Sequence, residues 1–138
     1  MNSQQQETVA QCVALSEAGQ IHFGEVVRRL IEAGIERYHA DYSRSENTYY
    51  TPEGSSCVVP MSVRHGPIAD RFDPEGVRSS IWRAQRGEIL YPAFVEETTR
   101  AGCVGYFVQI TGRRVRYFGR RGEEHTEWFP GAGPVAAD

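Results

Sequence analysis

Lysine is absent from this chain, and all 15 basic residues are arginine. That excludes a Schiff-base lysine, a pyridoxal phosphate anchor and the phosphate-gripping lysine of a P-loop. Cysteine is sparse. Cys12, Cys57 and Cys103 are odd in number, far apart and without a C-x-x-C pair, a usage that suits a reducing compartment and argues against a disulfide framework. No apolar run approaches the roughly 20 residues of a membrane span. The opening MNSQQQETVA has neither a basic n-region nor an apolar h-region, so no signal peptide is expected. A basic excess is missing too: the formal net charge is −3, where proteins that live on phosphate contacts carry a clear positive surplus. The deficit lies in residues 1–69, with five arginines against eight acids, whereas residues 70–138 hold ten of each. These absences lead to the expectation of one soluble cytoplasmic domain, with no cofactor and with neither membrane nor nucleic acid as partner.

What the chain has instead is self-similarity. Residues 7–61 and 75–129 align without a gap at an offset of 68, with ten identities: Glu7/Glu75, Val9/Val77, Gly19/Gly87, Ile21/Ile89, Val27/Val95, Ala33/Ala101, Gly34/Gly102, Tyr38/Tyr106, Tyr49/Tyr117 and Gly54/Gly122. Average usage would give about three. The expected organisation is therefore two repeats joined by a linker, 62–74, with His65-Gly66-Pro67 as a turn. MNSQQQ and the last eight residues, GAGPVAAD, read as frayed ends.

Each half reads helix, helix, then a three-stranded meander. The first helices are expected over about Glu7–Ala18 and Glu75–Arg86, the latter started by Asp73-Pro74, with Gly19 and Gly87 as C′ residues. The second helix carries Phe23, Val26, Val27, Leu30 and Ile31 at the spacing of one buried face. Its counterpart carries Tyr91, Phe94 and Val95, then Thr98 and Thr99, a less apolar last turn. Both end in Ala-Gly. Strands follow, with Tyr38, Ala40 and Tyr42 in phase with Tyr106, Val108 and Ile110. Further strands fall near Thr48–Thr51 and Arg116–Gly119, and near Ser56–Pro60 and Glu124–Trp128. Tyr50 and Phe118 oppose Tyr49 and Tyr117 across their strands, so both faces of these strands are aromatic and one must find cover from helices or another subunit. The fold class is α+β, a duplicated α-α-β-β-β unit with an antiparallel sheet against helices. Leftover strand edges suggest a homodimer.

The run Phe23–Tyr50, with its Ala-Gly, Tyr38-x-x-Asp41-Tyr42 and Tyr49-Tyr50, resembles the YbcV-like family of uncharacterised proteins. So does Gly122-Glu123-x-His125-x-Glu127-x-Phe129-Pro130. The family is sometimes labelled phage envelope protein. The resemblance covers roughly residues 15–130 and implies an α+β fold; it implies no activity and no catalytic residues.

Chemistry could sit in three places. His125 and Glu127 share one face of a strand by period two, within reach of one metal ion or proton, with His39 or Asp41 as candidates for completing a site. The plain alternative is an edge strand facing water. His39 and Asp41 also lie, with Arg37, opposite Tyr38, Ala40 and Tyr42. Beside Phe107 and Gln109 they would make a mixed aromatic and polar surface for a ligand or partner if helices cover only one side of the sheet. Finally, Arg113, Arg114 and Arg116 with Tyr117 sit in GRRVRYFGRRGEE, a candidate site for an anionic small ligand, unless the arginines pair with acids such as Glu96 and Glu97. No Ser-His-Asp or Cys-His spacing is visible. The leading expectation is a non-enzymatic binding or interaction domain for an anionic small molecule or a protein partner. The rival is a small, metal-assisted enzyme centred on His125 and Glu127.

Overall fold

Four helices and six strands occur in the order α1 (Ser3–Glu17), α2 (Phe23–Glu32), β1 (Arg37–Asp41), β2 (Glu46–Tyr50), β3 (Ser56–Pro60), α3 (Pro74–Gln85), α4 (Tyr91–Arg100), β4 (Cys103–Gln109), β5 (Arg114–Gly119) and β6 (Glu124–Trp128). The structure, a computed structural model, describes residues 1–133. Residues 134–138, most of the tail expected to fray, lie outside the described residues. The strands form one antiparallel sheet in the order β3-β2-β1-β4-β5-β6. The chain is thus α+β, and among the described residues no helix is long and apolar enough to cross a membrane.

Strand burial alternates, and the alternation defines two unlike faces. Tyr38, Ala40, Asn47, Tyr49, Tyr106, Val108, Val115 and Tyr117 are buried, while the residues between them in β1, β2 and β5 are only half-buried. The buried set forms one core with Val9, Cys12 and Val13 of α1, Val26 and Leu30 of α2, Val77 and Ile81 of α3, and Phe94 and Val95 of α4. All helices therefore serve the inner face. Among the described residues, no helix packs on the outer one.

Several local expectations change. Helix α1 begins at Ser3, not Glu7, and MNSQQQ is not loose: the Asn2 side chain accepts from the Gln5 N–H and the Gln5 side chain accepts from the Asn2 N–H. This capping box is built from Asn and Gln rather than the usual Ser/Thr and Glu. Gln5 Nε2 also donates to the Ala33 carbonyl at 3.0 Å, pinning α1 to the end of α2. On α2 the apolar stripe is wider than the contact it makes: Phe23 and Ile31 are 39% and 57% exposed. Thr98 and Thr99, expected to weaken the α4 face, are fully buried. Their hydroxyls donate to the carbonyls of Phe94 and Val95, at 2.8 and 2.9 Å, so neither threonine brings an unpaired group into the core. No turn forms at His65-Gly66-Pro67. The linker is an irregular strap, held where the Asp73 N–H donates to the Ala101 carbonyl and the Ala69 N–H to that of Thr99.

Candidate binding face of the sheet

The strand registers sort the outer face into three rows that cross all six strands from β3 to β6. One row runs Ser56, Tyr50, Arg37, Gln109, Arg114, Trp128. The middle row runs Val58, Thr48, His39, Phe107, Arg116, Thr126, and the last Pro60, Glu46, Asp41, Gly105, Phe118, Glu124. The first row carries two arginines and no acid; the last carries three acids and no base. The conditional expectation of a mixed aromatic and polar face is met, because helices cover only the inner side.

Rings and guanidinium groups on this face lie flat against one another. His39 stacks on Phe107 with centroids 5.2 Å apart and planes 18° from parallel, and Tyr50 stacks on Phe107 at 6.2 Å. Arg37 lies 4.3 Å over the Tyr50 ring, Arg114 5.1 Å over Trp128 and Arg116 5.3 Å over Phe118. The first two contacts hold Arg37 and Arg114 extended along their row at small entropic cost, whereas Arg116 crosses from the middle row to Phe118 in the last. Arg116 pairs with Glu124 at 3.1 Å, and that guanidinium holds the Glu124 carboxyl below the usual carboxylate range. Glu96 and Glu97, expected as partners for this hairpin, are instead taken by Arg100 and Arg83. Arg114 has an Nε buried without a hydrogen-bond partner.

The residues expected to act together divide across the sheet. His125 and Glu127 do meet, with Nε2 and Oε1 3.2 Å apart. They lie on the inner phase of β6, half-buried, opposite Tyr117 and Val115, so the picture of an edge pair facing water is corrected. His39 and Asp41 are on the outer phase of β1 and cannot complete a site with them. Asp41 is occupied locally, accepting from the N–H groups of Ser43 and Arg44 as a turn cap. Among the described residues no group of three or more His, Cys, Asp and Glu converges, so His125 and Glu127 remain a pair within hydrogen-bond distance and no more. Tyr117 also leaves the arginines. It is buried on the inner face, where desolvation pushes its hydroxyl well above the ordinary tyrosine range. Arg113 occupies the exposed hairpin turn at φ 58°.

Reasoning from sequence missed Trp128, which closes the arginine row, and Asn47. Among the described residues the latter is the one Asn, Asp, Gln, Glu or His side chain in the buried core, 5% exposed. A signal existed: Asn47 shares the inner phase of its strand with Tyr49, and the residue 68 positions on is Val115.

Comparison with family models and with curated proteins finds no match to this chain.

Proposed function

We propose that this chain is a non-enzymatic interaction domain whose working surface is the outer face of its sheet, and that a second copy of the chain occupies that face. The sorting of charge by row carries the reading. A two-fold axis along the middle row keeps each strand over its own counterpart and turns the arginine row onto the acidic row. Arg37 leans over Tyr50, and Tyr50 shares β2 with Glu46, so its guanidinium comes over the second copy's Glu46. Arg114 leans over Trp128, which shares β6 with Glu124, and so comes over the second copy's Glu124. An axis parallel to the strands would stack arginine on arginine and acid on acid, a like-charge penalty. The middle row supplies apolar contact through Val58, His39 and Phe107, while its Arg116 leans away over Phe118 and is neutralised by Glu124 of the same chain. Such an arrangement is isologous and closed.

The size of the face sets the expected strength. Six strands at about 4.8 Å and five residues at about 3.3 Å give roughly 29 by 17 Å, about 500 Å² per copy. That is the low end for specific association, so a dissociation constant on the order of 10 µM is expected. The same reading takes the two halves as copies of one unit. It draws support from His39, which lies opposite Phe107, 68 residues on, at the middle of the β1–β4 pairing. A cytoplasmic location and YbcV-like membership belong to this proposal as well.

Sedimentation velocity from about 5 to 300 µM tests it. The wild type should shift from monomer to dimer, and Phe107→Glu, which sets like charges together at the dyad, should stay monomeric. A wild type monomeric throughout would end the self-association reading. Arg114 favours a second reading, an anionic small molecule at its unpartnered Nε. Phosphate should then raise the melting temperature of the wild type and not of Arg114→Gln; equal responses would exclude it.

A further inference from the structure

We infer that the chain holds a second, independent site: a cavity between the helices and the inner face of the sheet that binds a small neutral amide or alcohol through Asn47. The cavity measures about 40 Å³ and lies where α1, the start of α2 and the start of α4 diverge over β1, β2 and β4. A neighbouring void of about 10 Å³ shares Asn47, Met61 and Tyr91 with it, so Asn47 stands at the wall between the two.

The polar groups of the wall do not satisfy one another. Asn47 is 5% exposed, and its Nδ2 donates to the Tyr49 hydroxyl at 3.1 Å while its Oδ1 has no hydrogen-bond partner. A buried amide oxygen left unpaired is costly, so the site calls for a donor. Turning the amide over does not remove the vacancy: Tyr49 would then donate to Oδ1, and Nδ2 would be the unpaired atom. Either way one amide position is open, and a ligand able both to donate and to accept meets it.

The rest of the wall narrows the class. Tyr106 donates to the Tyr91 hydroxyl at 3.0 Å, which leaves the Tyr91 proton free, and Tyr38 contributes a further hydroxyl. Burial pushes these hydroxyls upward, Tyr91 to about 12 and Tyr38 and Tyr106 further, so they remain neutral donors. No charged side chain lines the cavity, and an ion would be desolvated without compensation. At about 10–15 Å³ for each water-sized group, the space holds about four non-hydrogen atoms. Phe23, 39% exposed at the start of α2, stands at the wall as a side chain that can yield to an entering molecule.

This site lies behind the sheet from the proposed dimer face, so either reading can fail without the other. The test is a titration of ¹⁵N-labelled full chain with acetamide, following the Asn47 side-chain NH₂ resonances in the wild type and the backbone amides of the lining residues Tyr38, Tyr49 and Tyr91 in the wild type and every variant. Saturable shifts at millimolar acetamide are expected. Asn47→Leu should weaken binding about tenfold and Tyr38→Phe, which keeps the ring, about threefold. No saturable shift up to about 0.5 M, or undiminished binding by both variants, overturns the inference. If Asn47→Leu does not fold, Tyr38→Phe decides. Crystals soaked in acetamide that show only ordered water in the cavity also overturn it.

Discussion

Exchanging the charges of Arg37 and Glu46 tests the dimer at the level of geometry rather than area. In the proposed pairing each Arg37 faces the second copy's Glu46, and the two-fold axis makes the contact occur twice. A half-exposed ion pair is worth about 0.5–1 kcal/mol. Reversing one partner loses that and adds a repulsion of similar size, so Arg37→Glu should cost about 2–4 kcal/mol over two contacts. That is roughly a 30- to 1,000-fold rise in dissociation constant, which moves a ~10 µM dimer to about 0.3 mM or weaker and leaves it largely monomeric below about 100 µM. Glu46→Arg alone should do the same. The intramolecular costs are small, because Arg37 has only Glu36 as an ion-pair partner and Glu46 pairs with Arg44, whose side chain is 71% exposed. The double variant restores opposite charges across the interface and should recover association to within about tenfold of the wild type. Sedimentation velocity at low salt is the assay, with circular dichroism to show that each variant folds. Single variants that dimerise like the wild type, or a folded double variant that stays monomeric, would refute the pairing.

Other consequences of the fold can be checked in solution. Gly102 has φ +86° and a Cβ there would stand 2.3 Å from the Arg71 carbonyl, whereas Gly54 has φ +89° and open space around it. Urea unfolding should show Gly102→Ala costing about 3 kcal/mol or more and Gly54→Ala about 1 kcal/mol; equal costs would mean that the linker does not strap over Gly102. Burial raises the Cys12 thiol and pushes Cys103 up to about 11, while Cys57 is half-exposed. Ellman's reagent should therefore find one fast thiol in the native protein and all three in denaturant. Arg83 and Ser80 hold the Glu97 carboxyl below its ordinary 4.5. Its folded value is depressed, so its stabilisation is present above about pH 4.5 and fades as pH falls through the folded value. Glu97→Gln should lose up to about 1 kcal/mol at pH 7, and its difference from the wild type should shrink as pH falls below 4.5.

Periodicity was most readable where an element meets the core on one face only. Tyr38 and Ala40 alternate with Arg37, His39 and Asp41, and Tyr106 and Val108 keep the same phase, so the buried side of both strands was legible while one-sided helix cover was only a condition. The order of the helices and strands followed from the Ala-Gly endings and the phase of the tyrosines. Less visible was anything set by non-local partners. Nothing near Phe23 or Ile31 says that α2 buries Val26, Val27 and Leu30 and leaves Phe23 only edge-on to Phe129. Thr98 and Thr99 read as polar because their hydroxyl bonds run back into their own helix. The candidate sites suffered from the same limit. Phase placed His125 and Glu127 together correctly, but whether their face of β6 is inner or outer depends on the register of β6 on β5. That register sets them opposite the buried Tyr117 and Val115, across the sheet from His39 and Asp41. The charge rows needed the registers of all five strand pairs before Arg37, Arg114, Glu46 and Glu124 could be seen to sort by row. Asn47 could have been found from its apolar counterpart, Val115, since an amide among inward-facing aromatics needs a partner.

In the proposed dimer the outer sheet face, and no other surface, joins two copies. Dilution of ¹⁵N-labelled protein from about 300 to 5 µM, with amide shifts as the readout, distinguishes this face from every other. Concentration-dependent shifts should gather on the three rows, strongest around Phe107, His39 and Arg37, with α1 to α4 unmoved. Shifts confined to the helices, or none at any concentration, would contradict it.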